Sequence, residues 1–212
     1  MSVLYSWLSR FPFAPILPMP LQIIPFPHPT LRYRSKPIRR VDSELKRIAA
    51  EMLDLMYEAR GVGLAANQVD LPLRMFVLNP SGVRGDGEEL VLLNPVLQRP
   101  KGSELGEEGC LSLPGLYGAV VRPKEISLSG FDLSGNPVER RISGFFARVL
   151  MHENDHLDGV LFFDRMGEQE REDLLEPLEE LVIEFRAEQQ YGRIPSDEQL
   201  LARLSEWEGR YA

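Results

Sequence analysis

Leu150-Met151-His152-Glu153-Asn154-Asp155-His156-Leu157-Asp158-Gly159 contains the pattern His-Glu-x-x-His. On a helix, His152 and His156 stand one turn apart on the same face, where two imidazoles can grip one metal ion. Glu153, beside the first histidine, can reach a water on that ion without becoming a ligand. The preceding Phe145-Phe146-Ala147-Arg148-Val149-Leu150-Met151 is apolar enough to run a buried helix into the site, and Gly159 is a natural helix stop. A pattern with three set positions also arises by chance in ordinary helices, so the rest of the chain has to decide.

An open catalytic metal site takes three protein ligands and a water. The chain has three histidines, His28, His152 and His156, and one cysteine, Cys110. The longer motif of metzincin-type peptidases needs a further histidine where Phe162 stands, which argues against that group. Glu176, Glu179 or Glu180 could be a downstream carboxylate ligand, as a generic zinc peptidase would require. A lone cysteine is more often a small buried hydrophobe. In Gly106-Glu107-Glu108-Gly109-Cys110-Leu111-Ser112-Leu113-Pro114-Gly115, with His-Glu-x-x-His elsewhere, Cys110 becomes the candidate third ligand. His28, wedged among prolines, does not.

Three blocks now stand together: Gly61-Val62-Gly63-Leu64-Ala65-Ala66-Asn67-Gln68, Glu108-Gly109-Cys110-Leu111-Ser112 and His152-Glu153-Asn154-Asp155-His156-Leu157. In order and spacing they resemble the signature blocks of the peptide deformylase family, and the resemblance runs from about Pro20 to Met166. It implies an α+β fold of short, mostly antiparallel strands wrapped around a central metal-binding helix, here with a C-terminal helical extension. It also implies the reaction, hydrolysis of the N-formyl group of formyl-methionine on newly made polypeptides, releasing formate. Cys110, His152 and His156 would hold the metal, and Glu153 would move the proton. The Gln68 side-chain amide and the Leu111 backbone N–H would face the anionic oxygen of the tetrahedral intermediate. The implied ion is Fe²⁺, with Zn²⁺, Ni²⁺ or Co²⁺ able to occupy the same ligands, since a thiolate suits a softer ion.

Val62, Gly63, Gly109, Tyr117, Phe145, Arg148 and Val149 are the candidates for the peptide groove and methionine pocket. Glu108, Arg122 and Asp155 are expected to form a buried charge network bracing the cysteine segment against the helix; the alternative is three surface charges. Two positions depart from the family pattern. Met151 stands where a glutamine often precedes the first histidine, and Tyr117 stands where some relatives carry a substrate-contacting arginine. Competing functions are a zinc peptidase cutting internal bonds and a non-catalytic relative that binds the ribosome or another partner. Retention of Glu153, Gln68 and all three ligands argues against the second.

Composition is that of an ordinary globular chain of 212 residues, 43% hydrophobic and 26% charged. One cysteine excludes an intrachain disulfide, and a thiolate ligand needs a reducing compartment. The expected place is a bacterial-type cytoplasm, or an organelle if the start of the chain is a targeting peptide. No apolar run approaches a membrane span. Residues 167–212 hold 13 acidic and 5 basic side chains, so the extension carries the whole formal charge of −8. The catalytic part, 19–166, is close to neutral. Direct nucleic-acid binding is therefore not expected, and any transient ribosome contact would avoid the extension. A monomer is expected. Residues 1–18 are apolar, proline-punctuated and free of acids, and read as a disordered leader or a mis-assigned start rather than a targeting peptide.

Arg32, Arg34, Lys36, Arg39 and Arg40 read as a solvated basic loop rather than an RNA contact. Asp42 caps a helix to Ala59, with Leu45, Ile48, Ala49, Met52, Leu55 and Met56 at helical spacing. Gly61-Val62-Gly63-Leu64-Ala65-Ala66 superficially fits a dinucleotide fingerprint, but that needs a strand before and a helix after, and the order here is reversed. The glycines are instead expected to let main chain lie against a bound peptide while delivering Gln68. Strands are expected at 74–79, 90–98, about 117–121, 124–132 and 137–142. Leu161-Phe162-Phe163 should close the body. Helices follow over 168–191, with an apolar stripe of Leu174, Leu175, Leu178, Leu181, Val182 and Phe185, and over 196–210 behind Ser196.

Overall fold

The computed structural model describes residues 20–212, so the expectations for residues 1–18 lie outside the described residues. The first helix, α1 (Ser43–Glu58), begins at Asp42, whose side chain accepts from the Leu45 N–H at 2.9 Å. Its face of Leu45, Ile48, Ala49, Met52 and Met56 is buried. The helix stops at Arg60, whose φ of 57° is left-handed.

A five-stranded antiparallel sheet follows, in the order β1 (Gly63–Ala65), β2 (Met75–Leu78), β3 (Leu90–Lys101), β6 (Glu125–Phe131), β7 (Pro137–Ser143). Helix α1 covers one face and α2 (Gly144–Leu157) the other. That explains why Met75-Phe76-Val77-Leu78 is apolar throughout. Met75 and Val77 point into the cluster under α1, while Phe76 and Leu78 point into the one under α2. A separate antiparallel hairpin, β4 (Glu104–Cys110) with β5 (Leu113–Arg122), lies outside this sheet.

The expected strands all appear within a few residues, and two more were not anticipated. β1 has only three residues. β4, Glu104-Leu-Gly-Glu-Glu-Gly-Cys110, has three glutamates and two glycines, a poor strand composition. Pairing with β5 and the contacts of its inward face override that local preference.

The helix expected over 168–191 is broken into α3 (Glu168–Glu172) and α4 (Leu175–Gln190). Pro177 has no N–H to give Asp173, so a continuous helix would lose a bond there. Restarting at Leu175 puts Pro177 in a first turn, where N–H groups have no intrahelical partner anyway. The stripe is corrected too: Leu174 and Phe185 are buried and Leu178 and Leu181 partly so, but Leu175 is exposed. The last helix, α5 (Asp197–Tyr211), has Ser196 as N-cap in a reciprocal capping box with Gln199. Its Trp207 and Tyr211 pack on the α1 cluster. No helix among the described residues is long and apolar enough to cross a membrane.

Candidate metal centre

Helix α2 carries His152 and His156 one turn apart, their ring centroids 4.9 Å from each other. The end of β4 brings Cys110 against them, with Sγ 3.3 Å from Nε2 of His156. One ligand atom from each of the three residues lies within 4.8 Å of the others. Among the described residues this is the grouped set; Glu176, Glu179 and Glu180 are exposed on α4 and do not join it. One thiol and two imidazoles suit a late first-row divalent ion.

The electrostatics agree with a cation here. Burial alone would lower the pKa of His152, yet hydrogen bonds with Cys110 and Glu108 raise it to about 10. Burial and the neighbouring His152 charge push His156 well below its usual value, which leaves a neutral imidazole able to act as a ligand.

Glu108 is the hub behind the ligands. Its Oε2 lies 3.0 Å from Nδ1 of His152 and accepts from Arg122 at 2.9 Å; its Oε1 accepts from Arg122 at 2.9 Å and Arg148 at 2.8 Å. Burial would raise the carboxyl's pKa, but Arg122 and His152 hold it down to about 2. Arg122 also donates to Asp155 at 2.5 Å, and Asp155 accepts from Arg165 at 2.7 Å. Glu108, Arg122 and Asp155 are buried, so they are not the surface charges of the alternative reading. Arg148 and Arg165 are partners that sequence reasoning did not assign to this network.

Glu153 is 4% exposed, and its Oε2 has no hydrogen-bond partner among the described residues. Burial lifts its pKa to about 7, with the charge of Glu108 adding to the rise and His152 opposing it. The carboxylate leans on Gly63, where any Cβ would collide with it. A Cβ at Gly61 would come 2.7 Å from Leu111 Cδ1. Both glycines thus make room for the chain's own side chains, and both also line the cleft over the site. Gln68, in the 3-10 turn Ala66–Val69, accepts from the Ala65 N–H at 2.9 Å. Its Nε2 lies 3.4 Å from Cys110 Sγ and 3.3 Å from Ser112 Oγ.

A cleft of about 530 Å³ opens over these groups. Its lining includes Cys110, His152, Glu153, Gln68 and Leu111, together with Val62, Gly63, Gly109, Tyr117, Phe145, Arg148 and Val149. Tyr117 and Phe145 stand at the mouth, 61% and 57% exposed. Arg148 lines the cleft but is buried, and its guanidinium is occupied by hydrogen bonds within the protein. Leu113-Pro114-Gly115-Leu116, the start of β5, also lines the cleft, and sequence reasoning missed it.

The family model for polypeptide deformylase matches residues 20–172. A peptide deformylase of Rhodopirellula baltica is 58% identical over 193 residues, 91% of this chain and 96% of that protein. Peptide deformylase 1B of Arabidopsis thaliana, described as chloroplastic/mitochondrial, is 42% identical over 87% of this chain and 67% of its own length. Among solved structures, a plant peptide deformylase matches with a TM-score of 0.77 at 39% identity, covering 89% of this chain and 98% of that one. The peptide deformylase of Thermus thermophilus matches at 0.72 and 41%, covering 78% and 97%.

Proposed function

The chain belongs to the polypeptide deformylase family and is an enzyme, and we propose that it hydrolyses the N-formyl group from the formyl-methionine of new polypeptides. Water adds to the formyl carbon, the C–N bond breaks, and formate and a free amine leave. The observation that carries this reading is the convergence of Cys110, His152 and His156 beneath a cleft, with the buried, unpartnered Oε2 of Glu153 beside them.

Cys110, His152 and His156 would hold one divalent ion, with Fe²⁺ the proposed species and Zn²⁺, Ni²⁺ or Co²⁺ able to use the same donors. Such an ion supplies Lewis-acid activation of water near neutral pH. The chain's residues do the rest. Glu153 takes a proton from the attacking water and hands it to the departing amine, and a carboxyl near 7 is matched to both transfers. Gln68 Nε2 and the Leu111 N–H donate to the oxygen on which negative charge develops. With Nδ1 of His152 3.0 Å from Glu108, that carboxylate would orient the ring and keep its other nitrogen free to hold the ion. Val62, Gly63, Gly109, Tyr117, Phe145 and Val149 line the walls that receive methionine and the residues after it.

Residues 167–212 are read as an acidic helical extension of the catalytic body 19–166, and the enzyme as a monomer in a reducing compartment, bacterial-type cytoplasm or organelle. Any ribosome contact would use basic protein or the neutral body rather than RNA against the extension.

The test is formate release from a formyl-Met tripeptide by anaerobically purified, Fe²⁺-loaded protein. Rapid release, lowered at least ~10²-fold in Glu153→Ala, is the expected result. No release from folded, metal-loaded protein would overturn the reading.

A further inference from the structure

The cysteine ligand and the histidine ligands sit on different elements, β4 and α2, which belong to different packing units. Beside the Glu108–His152 and Arg122–Asp155 contacts, one side chain ties the helix to the backbone of the hairpin. Nη1 of Arg148, on α2, donates to Glu108 Oε1 at 2.8 Å, to the Val120 carbonyl at 2.9 Å and to the Gly106 carbonyl at 3.3 Å. Its Nη2 donates to the Glu104 carbonyl at 2.9 Å. Residues 104, 106 and 108 are alternate positions of β4, so the guanidinium runs along that strand and reaches across to β5.

We propose that Arg148 is a positioning residue: by fastening the strand that ends in Cys110 to the helix that carries His152 and His156, it sets the spacing of the three metal ligands. The inference rests on the metal-centre reading given above. Three features single out this residue. Arg148 lies one turn before His152, so its anchor point and the histidines move as one rigid body. It shares the Glu108 carboxylate with His152, so the hub that orients the imidazole is held from the same helix. And β4 accommodates it with a glycine, because a Cβ on Gly106 would come 2.8 Å from Arg148 Cζ and Nη2. A planar fork of five N–H donors can serve four acceptors on two strands; a lysine ammonium, with three donors on one point, cannot. Arg148 therefore acts on the reaction through the ligands, although it lines the cleft floor.

The experiment compares metal-loaded wild type, Arg148→Lys and Gly106→Ala. It reads the rate of ion loss to a chelator, the thiolate-to-metal absorption of the Co²⁺-loaded protein, and kcat and KM for formyl-Met peptide. Displacing a group that supports metal ligands typically costs about 10- to 100-fold in ion retention. Loss faster by that factor, a displaced absorption band, and a lower kcat at nearly unchanged KM are expected in both variants. Folded variants with wild-type ion loss and an unmoved band overturn the proposal. So does a raised KM with kcat and ion loss unchanged, which would make Arg148 a substrate contact. Should Arg148→Lys fail to fold, Gly106→Ala decides by the same readings, because its clash is with the end of a flexible side chain. A wild type that retains the ion but releases no formate sinks the deformylase reading, and ion loss alone then judges Arg148.

Discussion

The Glu153 carboxylate occupies the space in which residue 63 would carry a Cβ, so Gly63 and Glu153 are complementary parts of one site although they are 90 positions apart in the chain. Neither α2 nor β1 alone says why residue 63 is a glycine. The packing of one against the other does.

Gly63→Ala is therefore expected to act on catalysis rather than on folding. The residue is not at positive φ, so alanine suits the backbone, but Glu153 has to swing away from the place at which it is proposed to move a proton. Formate release should fall by about 10²-fold or more while the ion content stays that of wild type. Wild-type turnover by Gly63→Ala would refute the assignment.

Arg122 is 5% exposed and bridges Glu108 and Asp155. Arg122→Met would leave two buried carboxylates short of a partner, a kind of change that typically costs about 3–5 kcal/mol. Arg148 and Arg165 still reach those carboxylates, so the lower end is expected, measured as a shift in denaturant midpoint at constant slope. A loss within 0.5 kcal/mol, roughly that of an ordinary surface change, would contradict a bracing role.

Tyr211 ties the end of the chain to the start of α1. Its hydroxyl donates to a carboxylate, with Asp42 Oδ1 at 2.9 Å and Glu44 Oε2 at 3.1 Å, and the ring is buried. Tyr211→Phe keeps the ring and removes the hydroxyl. A loss of about 1–2 kcal/mol is expected, with kcat/KM unchanged because the contact lies outside the cleft lining. Thermal unfolding of the two proteins side by side measures it.

His28, packed against Phe185 and beside Asp70, gives the protein a pH response. Burial lowers its pKa below 6.5, with Asp70 opposing, and its Nδ1 accepts the Thr30 N–H at 3.3 Å. The unfolded chain thus binds a proton here before the folded chain does. Stability from this group is full above 6.5 and falls as pH drops below that value. Unfolding midpoints of wild type and His28→Asn between pH 8 and pH 5 should diverge, wild type having the steeper fall. Parallel curves would rule this out.

Much of the site is legible in the sequence because its signals are local. A three-residue gap between two histidines is one helical turn wherever it occurs, and a capping aspartate or a proline acts on its neighbours. That is why α1, α2 and α5 fall where their periodicity and caps put them, and why Pro177, read more closely, would have marked the break before α4. The three candidate ligands could be nominated from residue type together with histidine spacing and the glycine-flanked cysteine block.

What residues 63, 106 and 148 do could not be nominated so. A glycine's reason for being small lies in the side chain that passes over it, Glu153 for Gly63 and Arg148 for Gly106, each from a different element. Likewise, an arginine beside a cleft reads as a substrate contact until its donors are seen to be taken by Glu104, Gly106, Glu108 and Val120. By itself the sequence determined the chemistry available: a thiol, two imidazoles, a carboxylate and the helix spacing that pairs the histidines. Tertiary structure alone decided that β4, a poor strand by composition, pairs with β5 and brings Cys110 to the helix. The physical reason is that helical spacing is set within a few residues, whereas strand pairing and close packing are set by partners far along the chain.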